Sequence, residues 1–288
     1  MTSIMEIITK ETNGKNYKSF KYCYDGVDVP SFDYDDHKEI SWKKYGETHP
    51  KKEYKDLKPL ADKISQNPPL FTFFLDGSRR AYKVDDIAYN NRVYPVIAGQ
   101  VGISCCKRKN RQMKKYDFKK RLVIVLPSVA KQIDWDHKNV FFNNLCKKIN
   151  ENDIGLQRNQ IKFTDILPYS TKKDNVERIE NKGIAVIQGL MIESEIEMVT
   201  KMVENQQINA DNYLLKDGSL EYRVDHLKNK REKRRFASNF SCVVGVSKSF
   251  NPENCKDKNG KNNSNMVAKL PLYHRTPVSM YTSERLEG

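Results

Sequence analysis

Between Leu70 and Ser247 the apolar residues fall into five strand-length runs, and one long helical pattern divides the third run from the fourth. The first run, 70–75, is almost continuously apolar and is closed by Asp76-Gly77-Ser78, which reads as a buried strand ending in a turn. Residues 92–105 form the second, whose Pro95 and glycines favour an edge or a bulge. The third, 119–126, ends at Pro127. A polar insertion with short helical pieces follows over about 128–182, then a helix over about 184–204. A fourth strand, 212–216, is closed by a second Asp-Gly-Ser at Asp217. A cationic helix over about 223–238 and a fifth strand, 241–247, complete the order, and the Asn-, Lys- and Gly-rich remainder reads as loop.

Three consecutive strands can pair antiparallel, whereas strands joined through helices must lie parallel. The expected class is therefore α/β, with the element order of the ribonuclease H-like fold: a mixed sheet flanked by helices. Residues 69–288 form that domain, with the insertion between its third strand and the helix at 184–204. Residues 1–68 are expected as a short strand or helix followed by a loosely structured polar arm.

The chain has 288 residues, with 51 Lys and Arg against 37 Asp and Glu, a formal charge of +14. Such an excess calls for a polyanionic partner, because each phosphate that a cation neutralises releases condensed counterions. The longest aliphatic stretch, 122–126, is far short of the ~20 residues of a membrane span. The N-terminus lacks a cationic start followed by an apolar segment, so no secretory signal is read. Six cysteines without Cys-x-x-Cys spacing are expected as free thiols, consistent with a cytoplasmic, membrane-free protein.

Each Asp-Gly-Ser taken alone is an ordinary strand-to-turn signal. Taken together, Asp76 and Asp217 place two carboxylates at the ends of strands that neighbour each other in the expected fold, with glycines that allow close approach. The helix between them carries an apolar stripe of Ile184, Ile187, Met191, Ile192, Met198, Val199, Met202 and Val203. Glu193, Glu197 and Glu204 fall on its opposite side, but Glu195 lies within the stripe. Buried carboxylates are paired with a cation or hold a metal ion. An internal ion pair and a metal ligand both remain open for Glu195 on the helix alone; with Asp76 and Asp217, the ligand reading is expected. Three carboxylates suit Mn²⁺ or Mg²⁺, which in phosphodiester hydrolysis activate water and neutralise the leaving oxygen. Asp33, Asp35, Asp36 and His37 read as a solvated loop, and neither a zinc-protease pattern nor a P-loop occurs.

Cations concentrate in two runs. Residues 107–121 hold Lys107, Arg108, Lys109, Arg111, Lys114 and Lys115 and are expected to connect the second and third strands. Tyr116 and Phe118 in that run are available to stack on bases, which suits a DNA-tracking arm. Lys230, Arg231, Arg234 and Arg235 lie on the cationic helix. Arg79 and Arg80 directly follow the first Asp-Gly-Ser, and Lys248 closes the fifth strand. All three are candidates for contact with substrate phosphate.

The segments 74–79, 214–220 and 243–248, with the glutamate-bearing helix between the first two and Arg275-Thr276-Pro277 near the end, resemble the NurA nuclease family. The likeness spans roughly 70–282. It implies a ribonuclease H-like, Mn²⁺- or Mg²⁺-dependent nuclease that cuts single-stranded DNA and resects duplex 5′ ends. It further implies a homodimer working with a hexameric HerA-type DNA-translocating ATPase in DNA repair or anti-phage defence. Carried over by position, Asp76 and Asp217 match the family's metal-binding aspartates, and a glutamate of the helix, selected above as Glu195, matches the third ligand. Lys248 matches the lysine after the fifth strand, and Arg275 joins the DNA-binding set. Family members continue past the Arg-Thr-Pro segment, whereas this sequence stops at Gly288, which reads as a truncated form. The competing expectation is a non-catalytic DNA-binding or adaptor subunit whose nuclease site is incomplete.

Overall fold

A computed structural model describes residues 3–24, 54–65, 67–131, 140–171, 178–220, 229–247, 262 and 264–276. In chain order the elements are α1 (Ile4–Thr12), β1 (Lys15–Tyr17), β2 (Tyr22–Cys23), β3 (Lys55–Asp56), α2 (Lys58–Ile64), β4 (Phe71–Tyr89), β5 (Arg92–Lys109) and β6 (Gln112–Pro127). They continue with α3 (Val140–Asn152), α4 (Ile154–Arg158), β7 (Asp165–Tyr169), α5 (Ile179–Glu204), β8 (Tyr213–Asp217), α6 (Lys230–Asn239), β9 (Val243–Val246), α7 (Ser264–Ala268) and β10 (His274–Arg275). The class is α/β, a mixed sheet with flanking helices.

The chain divides into two compact units. The first comprises Met1–Ser31, Leu75–Cys106 and Lys115–Met198. Its strands lie in the order β7-β6-β5-β4, with β1 and β2 antiparallel on β4. β7 runs parallel to β6, from Val123 opposite Asp165 to Pro127 opposite Tyr169. The core is aliphatic: Ile97, Val101, Ile103, Val123 and Val125 from the strands, and Ile184, Ile187 and Leu190 from α5.

The N-terminal segment opens with a short helix, α1, and residues 25–53 of the expected arm lie outside the described residues. Ser3 and Glu6 form a reciprocal capping box at the start of α1, which satisfies two backbone donors at the helix end. Met5, Ile7 and Ile8 bury the inner face of α1, and Glu11 pairs with Lys148 of α3. At the far end, the Tyr89 hydroxyl donates to Thr12 Oγ1, which donates to the Ile8 carbonyl.

The second unit comprises Phe32–Phe74, Lys107–Lys114 and Val199–Gly288. Here the start of β4 lies beside β8: the Tyr213 amide donates to the Leu70 carbonyl and Thr72 Oγ1 meets Asn212 Oδ1. β9 lies parallel on the other side of β8, with Leu214 opposite Val243. β10 and β3 form a separate two-stranded ribbon.

Three strand expectations need correction. Asp76-Gly77-Ser78 does not end the first strand, because β4 runs on to Tyr89 in partnership with β5. The cationic run is not a loop connection. Its residues belong to the ends of β5 and β6, and the turn between them is only Asn110-Arg111, both at positive φ (51° and 62°). Asn90-Asn91 makes the matching turn between β4 and β5 (46° and 65°), as two-residue hairpin loops require. Finally, the polar insertion contains β7, which extends the sheet. No described helix is long and apolar enough to cross a membrane.

Candidate functional site

In the first unit, α5 lies against one face of the sheet. Arg79 Nε donates to Gln188 Oε1, Lys119 pairs with Glu197, and Arg121, which makes a two-pronged pair with Asp165, reaches Ser194 Oγ at 3.5 Å. Glu195 is only 2% exposed on this face. It sits directly beneath Gly77: a Cβ built there would occupy the space of Glu195 Oε1 and come within 3.1 Å of Ile103 Cδ1. Gly77 leaves open the space that the buried carboxylate fills.

Successive residues of a strand point to opposite faces. With Gly77 and Arg79 facing α5, Asp76 leaves β4 on the other face, where it is exposed. The structure thus brings Glu195 against the backbone beside Asp76 but sends the two carboxylates to different faces.

In the second unit, Asp217 ends β8 and the chain turns at Gly218, whose φ of +90° favours glycine. Three features lock this turn. The Gly218 amide donates to the Val246 carbonyl at 2.8 Å. Lys216 is 6% exposed and its Nζ donates to the carbonyls of Asp217 (3.0 Å) and Ser219 (3.2 Å). Gly245 of β9 has no side chain where a Cβ would meet the Gly218 carbonyl at 2.7 Å. The second Asp-Gly-Ser and the Gly-Val-Ser of the fifth strand are two halves of one packed turn. The sequence held no signal for Lys216 as the internal donor, since a lysine within a short strand reads as an edge or surface residue.

The candidate cations separate into engaged and exposed groups. Arg108 donates from Nη2 to the Phe71 carbonyl at 2.7 Å and stacks 5.6 Å from the Phe74 ring centroid. Lys107 Nζ lies 5.2 Å from the Phe73 ring centroid. These contacts, and that of Arg79 with Gln188, hold the fold together locally. Arg235 pairs with Glu204, and half-buried Arg275 donates to the Thr276 carbonyl. Arg80, Lys109, Arg111, Lys114, Lys230, Arg231 and Arg234 are exposed, and exposed Lys115 places its Nζ 5.2 Å from the Phe118 ring centroid. Lys248, the acidic cluster Asp33, Asp35, Asp36 and His37, and Cys255 lie outside the described residues. The other five cysteines are free thiols.

In chemistry, Asp76, Glu195 and Asp217 are the hard oxygen donors that Mn²⁺ or Mg²⁺ prefers. In placement, no three His, Cys, Asp or Glu side chains among the described residues are gathered closely enough to hold a metal ion. No protein-family model and no curated protein matches the chain.

Proposed function

We propose that this protein is a metal-dependent deoxyribonuclease with a ribonuclease H-like strand order, of the NurA kind, working with a HerA-type ATPase. The observation that carries the proposal is Glu195: a carboxylate with 2% exposure, packed against the Asp76–Gly77 backbone in the space that glycine leaves. Burying a carboxylate costs several kcal/mol, so a protein keeps one there for a pairing or a ligand. The locked turn that fixes Asp217 at the end of β8 supports the same reading. So does the sequence of elements, three strands, an insertion that carries β7, the glutamate helix, a strand, a helix and a strand, with β5 beside β4 and β9 beside β8.

In this reading Asp76, Glu195 and Asp217 are the candidate oxygen donors for Mn²⁺ or Mg²⁺, which when bound would activate water and neutralise the leaving oxygen; Asp76 and Glu195, on opposite faces of β4, do not fit one shared ion. Lys216 is a positioning residue that holds the backbone of the Asp217 turn. The exposed cations at the hairpin tip and on α6 hold the strand through its phosphates.

The opposed faces of Asp76 and Glu195 favour a second reading, a DNA-binding subunit without its own nuclease activity. One set of measurements separates the two: cleavage of end-labelled single-stranded DNA in Mn²⁺ by the wild type and by Asp76→Ala, Glu195→Gln and Asp217→Ala. The nuclease reading expects each substitution to lower cleavage on the order of 100-fold or more while binding persists. Undiminished cleavage by the Asp76 or Asp217 variant removes the mechanism. Salt-sensitive binding without any Mn²⁺-dependent cleavage, even beside the ATPase, establishes the second reading.

A further inference from the structure

We propose that the sheet face of the first unit opposite α5 is a stacking platform for single-stranded nucleic acid, with Phe118 as its base-stacking ring. This rests on the nucleic-acid reading above and names the surface that performs it. Phe118 of β6 is 48% exposed and Tyr116 37% exposed, on the stretch of β6 before the Val123–Pro127 segment that β7 pairs. A Cβ built on Gly102 of β5 would lie 3.6 Å from Ser78 Oγ and 3.7 Å from the Phe118 ring, so these three residues share one face. Strand alternation adds exposed Arg80 and Asp76 of β4 and exposed Lys120 of β6 to that face. Lys115 Nζ lies 5.2 Å from the Phe118 ring centroid.

The composition of the face selects its occupant. A docking helix or a second sheet needs a contiguous apolar patch, but the surroundings of Phe118 are glycine, serine and charged side chains. A flat ring above a side-chain-free position, flanked by Arg80 and Lys120 and with the Lys115 ammonium over it, suits a base that takes the place of that ammonium on the ring while the cations meet phosphates. Asp76 lies two residues along β4 from Ser78 and therefore on the same face. Stacking needs an unpaired base, so the platform selects single strands over duplex.

The test is fluorescence anisotropy of a labelled 15-nucleotide oligo-dT, and of a duplex of equal length, without divalent metal. Phe118→Ala is expected to weaken oligo-dT binding roughly 5- to 150-fold, the measured range for one stacked base, with little change for duplex. Phe118→Trp is expected to keep or improve binding. Gly102→Val serves as a second variant, since its contacts of 3.6 Å and beyond leave the fold intact while crowding the ring, and it is expected to weaken binding likewise. Unchanged oligo-dT affinity in both Phe118→Ala and Gly102→Val overturns the platform but leaves the nucleic-acid reading standing. A wild type that binds neither probe overturns both. A Phe118→Ala protein that loses self-association in sedimentation, with DNA affinity intact, overturns the platform in favour of a contact between copies.

Discussion

Gly245 and Lys216 do their work by letting a turn close around Asp217, and each makes a separable prediction. A methyl group at position 245 meets the Gly218 carbonyl at 2.7 Å, and a backbone oxygen cannot rotate away as a flexible side chain would. Gly245→Ala is therefore expected to destabilise the second unit by about 1–3 kcal/mol, the usual cost of overpacking, measured as a lower urea midpoint at unchanged slope. Lys216→Met keeps the aliphatic stem in its buried position but removes the donor shared by two carbonyls. Its expected cost is about 1–3 kcal/mol, and under the proposed nuclease reading turnover should fall while the affinity for DNA holds. If turnover and stability are both untouched, the turn does not depend on this ammonium group.

At the scale of elements, the two hairpin turns and the α1 contact set the limits of the long strands. The tip of the β5–β6 hairpin uses Arg111 at a φ of 62°, a conformation that costs an ordinary side chain roughly 1 kcal/mol and glycine little. Arg111→Gly should therefore raise thermal stability by about 0.5–1 kcal/mol while removing one exposed cation, and a melt without nucleic acid reads the first effect alone. At the other hairpin end, burial pushes the Tyr89 phenol from its ordinary value near 10 up to about 12, against a smaller lowering by the Thr12 hydroxyl. The folded state thus holds this proton more tightly than the unfolded chain. Its contribution to stability is complete below pH 10 and is lost as pH rises from 10 towards 12. Tyr89→Phe should flatten that part of the stability–pH curve; an unchanged curve places the alkaline transition in another group. These elements also mark what the sequence made readable. Glu195 was visible because a carboxylate in an apolar stripe breaks the helical pattern, and its burial follows that pattern. The passage of β4 through Asp76-Gly77-Ser78 was not visible, because the same three residues make the real turn at Asp217. Only tertiary contact, Glu195 filling the space at Gly77, distinguishes the two. β7 was hidden by its proline and by the polar segments around it, since its strand character comes from pairing with β6.

For the whole molecule, a formal charge of +14 predicts binding to polyanions but does not say which cations bind them. Counterion release makes the logarithm of affinity fall with the logarithm of salt concentration, with a slope of about −0.7 per phosphate contacted on a single strand. The structure divides the candidate cations by what already engages them. Lys109, Arg111, Lys114 and Lys115 are exposed around the hairpin tip, Lys115 with its Nζ over the Phe118 ring, whereas Arg79 and Arg108 donate to Gln188 and to the Phe71 carbonyl. Replacing the four exposed residues with alanine should reduce the slope by up to roughly 3 and leave the unfolding midpoint within about 1 kcal/mol of wild type. Arg108→Ala should do the reverse, lowering the midpoint through the lost hydrogen bond and ring contact while the salt slope of the surviving folded protein stays near that of wild type. Equal slopes for wild type and the fourfold variant remove the hairpin tip from the binding surface, and attention then passes to Lys230, Arg231 and Arg234 on the wholly exposed basic face of α6. The ordering matters because a charge run alone does not distinguish a nucleic-acid contact from an internal brace, while the partner of each guanidinium does.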